Sequence, residues 1–178
     1  MEEKTPPAFS LRSVSMSDIQ ALQNLSRKTF AETFASDNSE ENMVKYLEEA
    51  FSIEKLSEEL ENPDSIFYFA IVDKNPVGYL KVNKADAQTE LKENKSVEIE
   101  RIYVLREYHG KEVGKKLCDK AIELSIAEGA EYVWLGVWER NTRAIRFYEK
   151  NGFTPFDKHI FKLGDEDQTD ILMKRILD

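Results

Sequence analysis

VEIERIYVLREYHGKEVGKKL, residues 97–117, runs a strand into a turn with two glycines and then into a helix. The strand half breaks strict alternation. Val97 and Ile99 share one face, Ile102 and Val104 the opposite one, so the apolar phase flips across Glu100-Arg101. One extra residue there, a β-bulge, restores a continuous buried face. A strand buried on both faces near its end explains the pattern equally well. In either case Glu100 lies among apolar neighbours, where a carboxylate pKa tends to rise. The turn half sets Gly110 and Gly114 on either side of an acidic Glu112. The first amides of a helix lack internal partners, and the helix dipole adds partial positive charge there. With Lys111, Lys115 and Lys116 nearby, this is a setting for an anion such as a pyrophosphate. A capped helix with a solvated basic turn is the other reading, and the spacing alone does not separate the two.

Outward from this stretch, FSLRSVS from Phe9 alternates as a first strand. Ser17 reads as the N-cap of a helix whose apolar face is Ile19, Leu22, Leu25, Thr29 and Phe30. A second helical region carries Met43, Tyr46, Leu47, Phe51, Leu56 and Leu60, and Asn62-Pro63-Asp64 ends it. SIFYFAIVD and VGYLKVN form a hairpin about a Lys74-Asn75-Pro76 turn. KADAQTELKENK is polar and reads as a loop. The helix after the glycine turn spans about Lys111 to Glu128 and closes at Gly129. EYVWLGVW is a strand dense in β-formers. Asn141 caps the helix TRAIRFYEK, which ends at Asn151-Gly152. FTPFDKHIFKL and TDILMKRIL are late strands joined by GDEDQ. The order predicts a mixed α/β domain with a parallel pair in the middle, spanning 1–178, with 1–8 a flexible N-terminus.

Composition narrows the function. The 178 residues suit one domain. A net charge of −9 argues against nucleic acid as a partner and suits a cationic one. No apolar run approaches the about 20 residues of a membrane helix. The start, MEEKTPPAFS, lacks the pattern of a secretory leader, and the single cysteine fits a cytoplasmic setting. Cys118 falls among apolar helix positions and reads as packing. Two histidines and one cysteine, far apart, give no metal spacing.

IERIYVLREYHGKEVGKKL, WLGVWERN and AIRFYEKNGF, in this order and spacing, resemble the Gcn5-related N-acetyltransferase (GNAT) superfamily. The resemblance covers nearly the whole chain. TFAETFASDNSEENMVKYLEEAF, VGYLKVN, VEIERIYV, WLGVWERN and GDEDQTDILM carry it further, toward the bacterial PaiA-type spermine/spermidine N-acetyltransferases. It implies a sheet whose two central parallel strands splay apart around the pantetheine arm of acetyl-CoA, and a direct transfer of acetyl to an amine. The family's turn has the form Gln/Arg-x-x-Gly-x-Gly/Ala. Here His109 takes the first position, Glu112 the middle glycine and Gly114 the last, so two of three positions depart. Backbone N–H groups do the binding, and Glu112 serves if its φ is negative and its side chain turns to solvent. On this resemblance His109, Gly110, Lys111, Glu112, Val113, Gly114 and Lys115 hold the pyrophosphate of coenzyme A. The backbone of Ile102, Tyr103 and Val104 holds pantetheine. Asn141 hydrogen-bonds the cofactor, in competition with its helix-capping role, and Phe147 and Lys150 flank it.

The implied chemistry needs an acceptor freed of a proton, a donor for the oxyanion and a proton for the departing thiolate. Glu100 is the candidate base, directly or through a water, with Glu98 two residues earlier as its alternative. Tyr148 is the candidate acid; core packing with Ala144 and Ile145 is its other reading. Glu32, Phe34, Tyr79 and Trp138 are candidates for the acceptor pocket, since acidic and aromatic groups attract a polycation. Another amine acceptor, or an acetyl-CoA-binding regulatory module without turnover, fits the same residues. A homodimer follows only from family habit.

Overall fold

The computed structural model describes residues 8–178; most of the segment expected to be flexible, 1–7, lies outside them. Seven strands form one sheet: β1 (Ser10–Ser13), β2 (Ser65–Val72), β3 (Asn75–Lys84), β4 (Ser96–Val104), β5 (Tyr132–Trp138), β6 (Thr154–Leu163) and β7 (Glu166–Ile176). Their spatial order is β1-β2-β3-β4-β5-β7-β6. Only β4 and β5 run parallel. The five helices are α1 (Ile19–Phe34), α2 (Glu40–Ala50), α3 (Ile53–Glu61), α4 (Val113–Ala127) and α5 (Thr142–Lys150). This is the expected mixed α/β fold.

Local chemistry moves several boundaries. Ser15, not Ser17, opens the first helical region: Asp18 accepts the Ser15 amide proton at 2.9 Å, a short 3-10 turn follows, and α1 starts at Ile19. The second helical region is two helices. Ser52 takes an extended conformation and its hydroxyl accepts the Lys55 amide at 3.1 Å. A new cap there ends α2 and starts α3. The first hairpin turns at Asp73-Lys74, both at positive φ, so Asn75 and Pro76 already belong to β3. The last hairpin closes at Gly164-Asp165, and most of GDEDQ is strand.

The bulge in β4 is present. Arg101 pairs with Lys81 and Ile99 with Val82, and Glu100 is the unpaired extra residue. Beyond it the phase is restored, so Val97, Ile99, Ile102 and Val104 all face the α4 side of the sheet. Gly78, opposite Val104, shows which helix covers that side. A Cβ there would meet the Tyr103 carbonyl at 3.0 Å and Leu117 of α4 at 3.3 Å, so glycine allows the close approach. The next residue, Tyr79, points to the other side, beside Ser26 of α1. The bulge therefore turns Glu98, Glu100, Arg101 and Tyr103 together onto the α1 side. Cys118 is fully buried and burial pushes its thiol pKa up to about 12, as a packing residue requires.

Candidate active site

β4 and β5 pair only from Ser96 with Tyr132 to Ile99 with Leu135. Past these residues the strands part. A cleft of about 340 Å³ opens at the parting. Glu98, Glu100, Arg101, Ile102 and Tyr103 of β4 line one side, and Gly136, Val137 and Trp138 of β5 the other. Tyr148 and Asn141 close one end. Phe34 enters from α1, stacked on Phe30 with centroids 4.4 Å apart and tilted against Trp138 at 5.4 Å.

At the far end of β4 lies the glycine turn. Gly110 has φ +74° and Glu112 φ +67°, and α4 begins at Val113. Two left-handed residues flanking Lys111 at a helix N-terminus are a backbone arrangement that can offer N–H groups to an anion. The expected negative φ at Glu112 is overturned: the residue is left-handed, a conformation the family's glycine adopts freely and a glutamate only at a cost of about 1 kcal/mol. Its carbonyl starts the helix by accepting the Lys116 amide at 3.1 Å. Glu112→Gly is expected to stabilise the chain by about 1 kcal/mol and to leave acetyl-CoA affinity equal or higher. Thermal unfolding and a binding titration check both. A clear loss of affinity would show that the carboxylate makes a needed contact.

His109 is engaged already. Arg143 donates to its Nδ1 at 2.7 Å, so Nε2 carries the proton and donates to the Val104 carbonyl at 2.8 Å. Burial, with Arg143 alongside, lowers its pKa and keeps the ring neutral. The imidazole thus ties the end of β4 to α5. Phe147 leans on the first turn of α4, its ring 3.8 Å from where a Cβ on Gly114 would stand. Asn141 caps α5, its Oδ1 accepting the Ala144 amide at 3.2 Å, which leaves its amide N–H groups for other partners. Lys111 lies over Tyr108, Lys115 pairs with Asp119 at 3.0 Å, and Lys150 is exposed in the last turn of α5. Val113 is buried and reaches the turn through its backbone only.

The carboxylates behave differently from expectation. Glu100 contacts Lys81 and accepts from Asn83 at 2.8 Å, with Arg101 3.5 Å away. Arg101 forks onto Glu59 at 2.9 and 3.1 Å, and Lys81 lies 3.3 Å from the same glutamate. Burial alone would raise the Glu100 pKa. Arg101 and Lys81 outweigh it and hold the group down at about 2, which overturns the expected rise. Glu98 is the one pushed up, by burial, although Thr89 and Asn83 donate to it at 2.5 and 3.0 Å.

Of the expected acceptor residues, Phe34 and Trp138 line the cleft. Glu32 instead accepts the Arg106 amide at 3.3 Å, and Tyr79 is fully buried behind Tyr103; neither lines the cleft. The sequence reading missed Lys81, Asn83 and Glu59. A signal existed for the first two: in VGYLKVN, Lys81 and Asn83 sit two apart on one face of an otherwise apolar strand. It also missed Glu90, His159 and Asp170, which converge from a loop and two late strands. Among the described residues no helix is long and apolar enough to cross a membrane, and no group of three or more His, Cys, Asp or Glu side chains is arranged for a metal ion.

Comparison with known proteins agrees with this arrangement. The family model for "Acetyltransferase (GNAT) family" matches residues 20–153. An uncharacterized N-acetyltransferase in the pepI 3' region of Lactobacillus delbrueckii subsp. lactis is 43% identical over 164 residues, 92% of this chain and 95% of that one. The spermidine N(1)-acetyltransferase of Thermoplasma acidophilum is 28% identical, over 94% of this chain and 97% of that one. Among solved structures, the PaiA N-acetyltransferase of T. acidophilum in complex with coenzyme A superposes with a TM-score of 0.80 at 26% identity, covering 96% of this chain and 99% of that one.

Proposed function

The chain belongs to the acetyltransferase (GNAT) family, and from that premise we propose that it acetylates a polyamine such as spermidine or spermine. Acetyl-CoA is its co-substrate and supplies the acetyl group as a thioester. The residues fit that molecule. Parted strands leave the gap-facing backbone of Ile102, Tyr103 and Val104 for the pantetheine arm. The Gly110–Lys115 turn offers amides to the pyrophosphate, and Phe147 and Asn141 flank the path between them.

The residues of this chain then divide the work. Tyr148 is buried beside the cleft, and burial drives its phenol pKa upward, so it stays protonated and can donate to a leaving sulfur. Glu100, held ionised by Lys81 and Arg101, contributes a fixed negative charge that attracts an ammonium. Its low pKa makes it a weak proton acceptor.

One observation carries the polyamine reading. Trp138 also lines a second cleft, of about 290 Å³. Asp37, Glu139, Glu166 and Asp167 line it, with Arg140 the single cation. Gln168, buried in its wall, has an Oε1 without a donor among the described residues. A chain with ammonium groups separated by methylenes matches this sequence of surfaces: one charge in the main cleft, carbon along Trp138, another charge beyond. The T. acidophilum spermidine acetyltransferase supports the same reading.

Thiol release from acetyl-CoA, followed with spermine, spermidine, propylamine, amino acids and a lysine peptide, tests it. Kcat/KM for spermidine should exceed that for propylamine at least about tenfold, the worth of one charged hydrogen-bonded contact. Equal rates for the two, or a preference for an amino acid or peptide, would replace the acceptor. Binding of acetyl-CoA without turnover on any amine would favour a regulatory module.

A further inference from the structure

With Glu100 bound by two cations, the acceptor's proton needs another destination. The opposite side of the cleft holds a group that the transfer chemistry leaves unused. β5 leaves its last pair with β4 at Leu135, and the next residue is Gly136. A Cβ at Gly136 would stand 3.4 Å from Asp170 Oδ2 and 3.7 Å from His159 Cε1. These two side chains therefore lie within van der Waals reach of the strand where the gap opens. Glu98 neighbours Trp134 in the parallel ladder, so Glu100 and Gly136, two residues on, share one face of the sheet. His159 pairs with Asp170 across β6 and β7. Its Nδ1 is 2.7 Å from Glu90 Oε1, and its Nε2 is 3.4 Å from Asp170 Oδ2. All three side chains line the main cleft.

A neutral imidazole has one N–H and one lone pair. Between two carboxylates it can donate to one only. The other then faces a lone pair, acceptor against acceptor. Nδ1 is buried, and the nearby Glu90 oxygen does not meet hydrogen-bond geometry with it. With both carboxylates ionised and the ring neutral, the arrangement is one proton short. An alkylammonium in the cleft brings N–H donors and a proton that can be removed.

We infer that His159, held between Glu90 and Asp170, accepts the proton of the substrate ammonium. One N–H bond of the ammonium breaks, and its electron pair stays on nitrogen as the lone pair that attacks. The proton reaches the free ring nitrogen by way of the carboxylate that faces it. The imidazolium then faces a carboxylate from each nitrogen, and later releases its proton to water at the open cleft. Imidazole is the side chain suited to this exchange near neutral pH. The inference rests on amine acetylation as proposed above, and not on which amine is used.

His159→Gln keeps a polar side chain on the half-buried edge strand and removes the imidazole. With the wild type's best amine, kcat should fall about 10²–10⁴-fold with the KM for acetyl-CoA unchanged. A kcat within about threefold of wild type would overturn the role. A second readout needs neither turnover nor a folded His159 variant. The chain has two histidines, so ring ¹⁵N signals in His109→Gln report His159 alone. Spermidine added without acetyl-CoA should shift them. Saturation seen by calorimetry with the ring signals unmoved would overturn the proposal. Wild-type inertness toward every amine would instead refute the transfer reading, and activity confined to monoamines would refute the polyamine reading while leaving His159 to be judged with that amine.

Discussion

Replacing Arg101 with methionine is expected to destabilise the protein by about 3–5 kcal/mol, the range for removing one partner from a buried ion pair. The guanidinium holds Glu59 through two hydrogen bonds and stands against Glu100. Its loss leaves two largely buried carboxylates, with Lys81 as the one cation in contact with both. The methionine restores most of the volume, so the deficit measures uncompensated charge and not a cavity. Urea denaturation reads the change. A loss below about 1 kcal/mol would mean that the cluster is as solvated as a surface pair. The double replacement R101M with Glu59→Met should recover part of the deficit, because it removes an orphaned charge together with its partner. Simple additivity of the two single losses would sink that explanation.

Tyr148→Phe is expected to lower kcat by about 10²-fold or more, the usual worth of a positioned acid, with acetyl-CoA affinity little changed. The ring packs edge-on against Phe147 and Phe153, at 5.2 and 5.6 Å between centroids. Phenylalanine keeps those contacts, and among the described residues the hydroxyl makes no hydrogen bond whose loss would disturb the fold. The hydroxyl therefore matters only if something arrives for it to donate to. Steady-state kinetics with a binding titration separate the cases. An unchanged kcat would remove Tyr148 from the chemistry and return it to the core.

How much of this was legible in the sequence depended on range. The bulge was half legible because its signal is local: four apolar side chains in nine residues changed phase, which a single inserted residue repairs but which a strand buried on both faces fits equally well. The parallel pair was readable from strand-turn-helix-strand order. Helix α3 was missed because Leu56 and Leu60 continue the period of α2, and only the Ser52 cap says otherwise. The Glu100 pKa was misjudged for a different reason. Its apolar sequence neighbours predicted desolvation, and desolvation is present. The cations that overrule it come from Arg101, whose face the bulge sets, and from Lys81 on the neighbouring strand. Likewise Glu90, His159 and Asp170 lie far apart along the chain, and no spacing rule joins them. Glu112 taught the converse, that a departure from a familiar pattern can keep the backbone shape the pattern exists to provide.

The short ladder between β4 and β5 has a mechanical meaning. Four residue pairs join a four-stranded leaf to a three-stranded one, whereas the other interior seams carry seven or eight. The shortest interior seam of the sheet thus coincides with the cleft proposed to take both substrates. Small changes in the angle between the leaves alter the width of the gap while leaving each leaf's own pairing intact. The two halves are joined as jaws are, at one short seam, and the packing of α1 and α4 against β3 and β4 stiffens one of them.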